Sequence, residues 1–198
     1  MQILLPRQEK LMSQITEKLI KYRSFIGILC LIAILWLATP NVWSIFSGFF
    51  LMMAGMFFRA WSSGYINKDK ELATEGPYSL SRNPLYFGSM ILGSGIAVAS
   101  NNVITYLIFI VYYFTFFTFL IAIERKRMRQ RFGQQYEAWA KKANLFFPKI
   151  KKIEKFNFNI AYYMKNREYR VLFFSLFVTA VLIVKFLKKI EFFAGIGK

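Results

Sequence analysis

Histidine is absent from this sequence, cysteine occurs once, and acidic residues are few: 10 Asp and Glu stand against 27 Lys and Arg. Without imidazole there is no histidine base, nucleophile or metal ligand. That removes a Ser-His-Asp triad and most zinc chemistry together, and no metal site is expected. The single Cys30, inside an apolar run, permits neither an internal disulfide nor a cysteine-rich zinc cluster. The first residues, Met1 to Arg23, are polar and amphipathic. They lack the apolar core and small-residue cleavage site of a secretory signal.

What the chain has in excess is apolar surface. Its 198 residues are 56% hydrophobic and 19% aromatic, more than one small soluble core can hide. The formal charge of +17 would suggest nucleic acid in a soluble protein. Here the charge lies beside apolar runs, where anionic head groups attract it and membrane topology selects it, so no nucleic-acid partner is expected.

A bilayer core about 30 Å thick needs on the order of 20 apolar helical residues. Five segments approach that length: 24–39, 42–62, 85–100, 103–123 and, interrupted by Lys185, 171–187. Pro40-Asn41 and Asn101-Asn102 leave room only for tight turns between helices. Positive charge fixes the expected orientation. The N-terminal tail carries Arg7, Lys10, Lys18, Lys21 and Arg23, segment 124–170 carries 14 more, and the tight turns carry none. The N-terminus, the 63–83 loop and the 124–170 segment are therefore expected in the cytoplasm. The last apolar run is open to a half-inserted, interfacial alternative, and 149–170, basic and aromatic, is expected on the anionic membrane surface.

Two blocks carry candidate chemistry. In the 63–83 loop, Gly76-Pro77 marks a turn, while Asn83-Pro84 supplies a capping side chain and an N1 proline for the third apolar helix. Free amides and a positive dipole end beside Arg82 suit a carboxylate or phosphate, although Arg82 alone would also serve as a head-group anchor. That helix carries Gly88, Gly93 and Gly95 with Ser89 and Ser94, which allow close approach of another helix or of a flat ligand. The fourth helix is expected to leave the membrane at Ile123 and continue. At helical spacing Glu124, Met128, Phe132, Tyr136 and Trp139 then share a face. A carboxylate among apolar residues needs a cation: Arg82 or Arg59 in a structural pairing, or a ligand ammonium group.

These blocks, in this order, resemble the isoprenylcysteine carboxyl methyltransferase family and the related membrane phospholipid methyltransferases. The resemblance rests on Gly76-Pro77-Tyr78, Arg82-Asn83-Pro84-Leu85-Tyr86-Phe87-Gly88, Glu124 with Met128, Phe132-Gly133, Tyr136, Trp139 and Phe147-Pro148, over about 59–148. Asn83 stands where the family usually has histidine, and Arg125 where it has a second glutamate. The resemblance implies S-adenosylmethionine in a cytosolic pocket, with the lipid arm of a membrane-embedded substrate entering from the bilayer. It also implies roles. Arg82, Glu124 and Tyr86 would be catalytic, and Tyr78, Arg82, Asn83, Pro84, Tyr86, Gly88, Glu124, Tyr136 and Trp139 would bind the cofactor.

The expectation is thus an all-α integral membrane protein with about five transmembrane helices and a cytosolic helical extension of the fourth. A single domain, 1–198, would comprise an amphipathic segment 1–23, a catalytic core 59–148, and a basic interfacial stretch with the last apolar helix, 149–198. The expected activity is carboxyl O-methylation of an isoprenylcysteine-like acceptor, in the cytoplasmic membrane with the site facing the cytosol. The alternatives are phospholipid N-methylation, a sterol-reductase relative, and a non-catalytic protein that keeps the fold.

Overall fold

The two asparagine-bearing turns decide where helices begin. The computed structural model describes residues 4–67, 71–150 and 157–196, with side chains only between 21 and 192. In it α1 (Leu4–Leu37) ends before Pro40, and α2 (Val42–Ser63) starts at Asn41. The Asn41 side chain accepts from the Ser44 amide at 2.8 Å while Ser44 Oγ accepts from the Asn41 amide at 2.9 Å, a reciprocal cap. The short α3 (Pro77–Leu80) precedes α4 (Pro84–Ser100), which has proline at its first position. Asn101 takes a left-handed φ of 50° to end α4, and Asn102 caps α5 (Val103–Ala140) by accepting from the Ile104 amide at 2.9 Å. Then come α6 (Ile160–Lys165) and α7 (Tyr169–Ile196). The described residues are helical apart from loops and one isolated bridge, Ser81 to Asn144, so the expected all-α class is met.

Among the described residues three helices are long and apolar enough to cross a bilayer: Val42–Ser63, Val103–Ala140 and the Tyr169–Phe192 part of α7. α4 is apolar but shorter, at 17 residues. α1 runs without a break from Leu4 through residue 23; Met1 to Ile3, and the side chains before Lys21 on which the expected amphipathic character of 1–23 rests, lie outside the described residues. Of the basic stretch expected on the membrane surface, 151–156 also lie outside them.

Glycines set the central contact. A Cβ on Gly48 would lie 2.5 Å from the Gly95 carbonyl oxygen, and one on Gly55 2.5 Å from the Leu92 amide nitrogen. α2 and α4 therefore touch backbone to backbone, the arrangement by which helices gain dispersion contact where lipid gives no hydrophobic drive. The α4 glycines serve packing, with Gly93 against the Phe109 ring of α5. Ile34, Met52, Met56, Leu92, Ile96, Val178 and Leu182 then join α1, α2, α4 and α7 in one core. Trp36, Trp43 and Val103, all near the tight turns, are 82%, 80% and 74% exposed, an outward surface suited to lipid and its interface.

Lys185, which interrupts the last apolar run, has a structural use. Its ammonium donates to the carbonyls of Leu35, at 2.9 Å, and Trp36, in the last turn of α1, where no intrahelical partner exists. At the opposite end of the bundle, Glu168, next to the start of α7, pairs with Arg59 of α2 at 2.9 Å. The last helix is thus tied at both ends of the bundle.

Candidate active site

The loop between α2 and α4 turns sharply at Gly76, whose φ of 55° favours glycine and whose hydrogens face the Tyr65 ring; a Cβ there would lie 2.4 Å from Tyr65 Cζ. Pro77 opens α3 and buries Tyr78. The chain after α5 returns to this loop and runs beside it. The Arg82 amide donates to the Asn144 carbonyl at 2.8 Å, Ser81 Oγ to the Phe146 carbonyl at 2.6 Å, and the Lys149 amide to the Leu80 carbonyl at 3.0 Å. Asn83 does not cap α4 with its side chain as expected. Its Nδ2 donates to the Leu145 carbonyl at 2.8 Å, because the returning segment offers an acceptor there.

α5 does continue beyond Ile123, but not as one straight helix. At Gly133 the backbone takes φ 47° and ψ −121°, a conformation open to glycine and strained for other residues, and the axis kinks. The expected common face of Glu124, Met128, Phe132, Tyr136 and Trp139 is therefore produced by this kink, since unbroken helical spacing stops at Gly133. Beyond it Tyr136 is buried, and Trp139 Nε1 donates to the Tyr78 carbonyl at 3.0 Å, closing the extension onto the loop.

These elements enclose a cavity of about 420 Å³. Tyr78, Arg82, Asn83, Tyr86, Glu124, Tyr136 and Trp139 all line it, so seven of the nine residues expected at a cofactor meet in one place. Two do not. Pro84 is buried at the start of α4, and Gly88 abuts α2, where a Cβ would lie 2.8 Å from Arg59 Cγ. Sequence reasoning missed the wall formed by Ile66, Asn67, Glu71, Leu72 and Ala73, which carries no motif. It also missed Arg127 and Arg131, although Glu124, Arg127 and Arg131 lie at helical spacing and that signal was available.

Neither structural pairing expected for Glu124 forms. Arg59 is held by Glu168, and among the described residues no cation lies within ion-pair distance of the Glu124 carboxylate. Arg82 Nε is buried without a hydrogen-bond partner. A carboxylate without a cationic partner and a buried guanidinium nitrogen without an acceptor thus line one cavity, and the buried nitrogen costs free energy unless a ligand or water meets it. Burial first, then the Glu124 charge, holds the Tyr78 phenol well above the usual tyrosine range, so it stays a neutral hydrogen-bonding group.

A second cavity, of about 370 Å³, lies between α1, α2, α4, α5 and α7 and is lined almost wholly by apolar side chains, among them Leu31, Ile34, Phe117 and Phe174. Tyr86 of the first cavity packs edge-on against Phe117 of the second with ring centroids 5.5 Å apart. Its carbonyl accepts from Tyr113 Oη at 2.8 Å, and Tyr113 lines the second cavity. One turn of α4 therefore divides a polar chamber from an apolar one.

A family model described as phospholipid methyltransferase matches residues 22–135. The chain belongs to the phospholipid methyltransferase family. Curated proteins related to this member of the family include a protein-S-isoprenylcysteine O-methyltransferase of Schizosaccharomyces pombe, 31% identical over 50% of this chain and 42% of that protein. Protein-S-isoprenylcysteine O-methyltransferase B of Arabidopsis thaliana is 36% identical over 36% of each chain. A probable protein-S-isoprenylcysteine O-methyltransferase of Oryza sativa subsp. indica is 35% identical over 40% of this chain and 42% of its own. The chain spans less than half the length of these curated relatives. No solved structure gives a significant match. The resemblance seen in the motifs is borne out, and the matched stretch contains the α4 residues of both cavities and their α5 residues up to Phe132, but not Tyr136, Trp139 or α7.

Proposed function

We propose that this chain is an S-adenosylmethionine-dependent methyltransferase acting on a membrane-embedded lipidated acceptor, with carboxyl O-methylation of an isoprenylcysteine-like group as the reaction. The observation that carries this reading is the adjoining pair of chambers, one polar with Glu124 lacking a cation and Arg82 Nε lacking an acceptor, one apolar, across Tyr86. The names of the relatives supply the reaction class.

The donor, when bound, supplies a methyl group on a cationic sulfur. Glu124 fits its ammonium and Arg82 its carboxylate, while Tyr78, Tyr86, Tyr136 and Trp139 offer faces and edges for a flat base. An ionised carboxylate acceptor needs no strong base for in-line displacement, so the chain's task is alignment and exclusion of water. The histidine-free cavity satisfies that requirement. The acceptor's hydrocarbon arm lies in the apolar chamber. The apolar half of α1 and the short α4 would complete a five-span bundle in the cytoplasmic membrane. The Arg- and Lys-rich end that holds the polar chamber faces the cytosol.

Calorimetric titration of the detergent-purified protein with S-adenosylmethionine tests this. Binding in the micromolar range, weakened about a hundredfold in Glu124→Ala and Arg82→Ala, is the expected result. A folded protein that binds no donor would overturn it and return the chain to a non-catalytic role. Phospholipid N-methylation is the second reading, favoured by the description of the matched family. Methyl label transferred to total lipid and released as methanol by mild base marks a carboxyl ester; label that resists base marks an N-methyl product.

A further inference from the structure

Arg59 is the one charged side chain among the described residues that line the apolar cavity. An arginine in such a wall is costly unless paired, and an apolar residue of similar size would pack there at less cost. Its pairing has a specific form. Nε donates to Glu168 Oε2 at 3.0 Å and Nη2 to Oε1 at 2.9 Å, the two-pronged geometry by which a guanidinium holds a planar carboxylate. Nη1 donates to Ser89 Oγ at 2.5 Å, and Ser89 in turn donates to the Leu85 carbonyl at 2.9 Å. Three of five N–H donors are thereby used, and two remain for a ligand in the cavity.

The partner comes from far along the chain. Glu168 lies 109 residues from Arg59 and outside the stretch that matches the family model. Both side chains are largely buried, at 22% and 11% exposure, and Arg59 lines the cavity while Glu168 holds it from outside the lining. Leu85 and Tyr86, one turn before Ser89 on α4, line the polar chamber. An anion held by Arg59 would therefore lie at the junction of the two chambers.

We propose that Arg59 anchors the carboxylate of a single-chain lipid acid whose hydrocarbon occupies the apolar cavity, and that Glu168 is the resident carboxylate which holds this anchor until the ligand arrives. Glu168 shows which head group the fork accepts, a planar two-oxygen anion. The apolar lining suits a hydrocarbon chain behind that head group. A cationic amine head would be repelled by the guanidinium. This inference rests on the methyltransferase reading only in calling the acid the acceptor.

Equilibrium dialysis of dodecanoate and of methyl dodecanoate against the purified protein in non-ionic detergent, with protein-free micelles as blank and no methyl donor, tests it. Wild type is expected to bind the acid more tightly than the ester. Glu168→Gln, which frees the fork, is expected to bind the acid about tenfold more tightly than wild type, with the ester unchanged. Arg59→Gln leaves a buried carboxylate unpaired and risks misfolding, so the double variant Arg59→Gln/Glu168→Gln is measured beside it; this neutral pair is expected to bind acid and ester alike. Equal binding of acid and ester by Glu168→Gln, or an acid preference kept by the double variant, would overturn the proposal. Failure of the donor titration alongside tightened acid binding would overturn the methyltransferase reading and leave this site standing.

Discussion

The two chambers are similar in size, about 420 Å³ and 370 Å³, and are built by opposite means. The polar one is assembled from a loop, a kinked helix and a returning strap, each fixed by a named contact: Gly76 packed against the Tyr65 ring, and hydrogen bonds from Trp139 to Tyr78 and from Asn83 to Leu145. The apolar one is simply the space that five helix faces leave between them. Its shape depends on how α2 and α4 set their neighbours, and its directed bonds are few: those of Arg59 with Glu168 and Ser89, and those of the Tyr112 and Tyr113 hydroxyls to the backbone. Local bonds should therefore affect the first chamber alone, whereas helix packing should affect both.

The largest effect is expected from Gly55→Val. A Cβ there meets the backbone of Leu92 at 2.5 Å and of Gly88 at 2.7 Å, and backbone cannot turn aside as a side chain can. Separating α2 from α4 should cost about 3 kcal/mol or more and abolish ligand binding in both chambers, seen as a lowered melting midpoint with loss of donor and lipid-acid binding. Intact binding in either chamber would break the claim that this contact shapes both.

Gly133→Ala comes next and separates them. A Cβ at Gly133 meets nothing within 4 Å, so the penalty is backbone strain alone, about 1–3 kcal/mol. Relief of that strain moves Tyr136 and Trp139 away from the loop. Donor affinity should fall about tenfold while dodecanoate binding stays unchanged. A smaller loss, about 1 kcal/mol of local stability, is expected from Trp139→Phe, which removes the bond to the Tyr78 carbonyl and trims the ring packed on Tyr136. Hydrogen exchange in the Gly76–Leu80 loop would read it.

The same contrast explains what could be read in advance. Helices 42–62 and 103–123 were visible because the bilayer demands a length of apolar chain, and Asn41 and Asn102 mark their starts by cap chemistry. Seven residues of the polar chamber were visible because Arg82, Glu124 and their neighbours lie in recognisable motifs. The wall of Ile66, Asn67, Glu71, Leu72 and Ala73 was not, since loop residues lining a cavity leave no periodicity. The Arg59–Glu168 pair joins residues 109 apart, and spacing within one helix cannot reveal it. Lys185 looked like an interruption because its use, capping α1, belongs to another helix. The expected cap by Asn83 failed for the same reason: the acceptor at Leu145 comes from a distant segment.

The smallest effect concerns Tyr78, buried in the polar chamber with Glu124 as its principal charged neighbour. Both burial and that charge disfavour the phenolate, so the folded pKa lies above the unfolded value of about 10. Between those two values the folded protein keeps a proton that the unfolded chain releases. Stability is therefore full below pH 10 and falls as pH rises through that window, in the direction linkage requires. Tyr78→Phe removes this contribution and should flatten the alkaline limb of the stability profile, while Tyr106→Phe, at an exposed position outside both chambers, should leave it unchanged. An alkaline limb unaltered by Tyr78→Phe would show that the Tyr78 hydroxyl is reached by water in the folded protein.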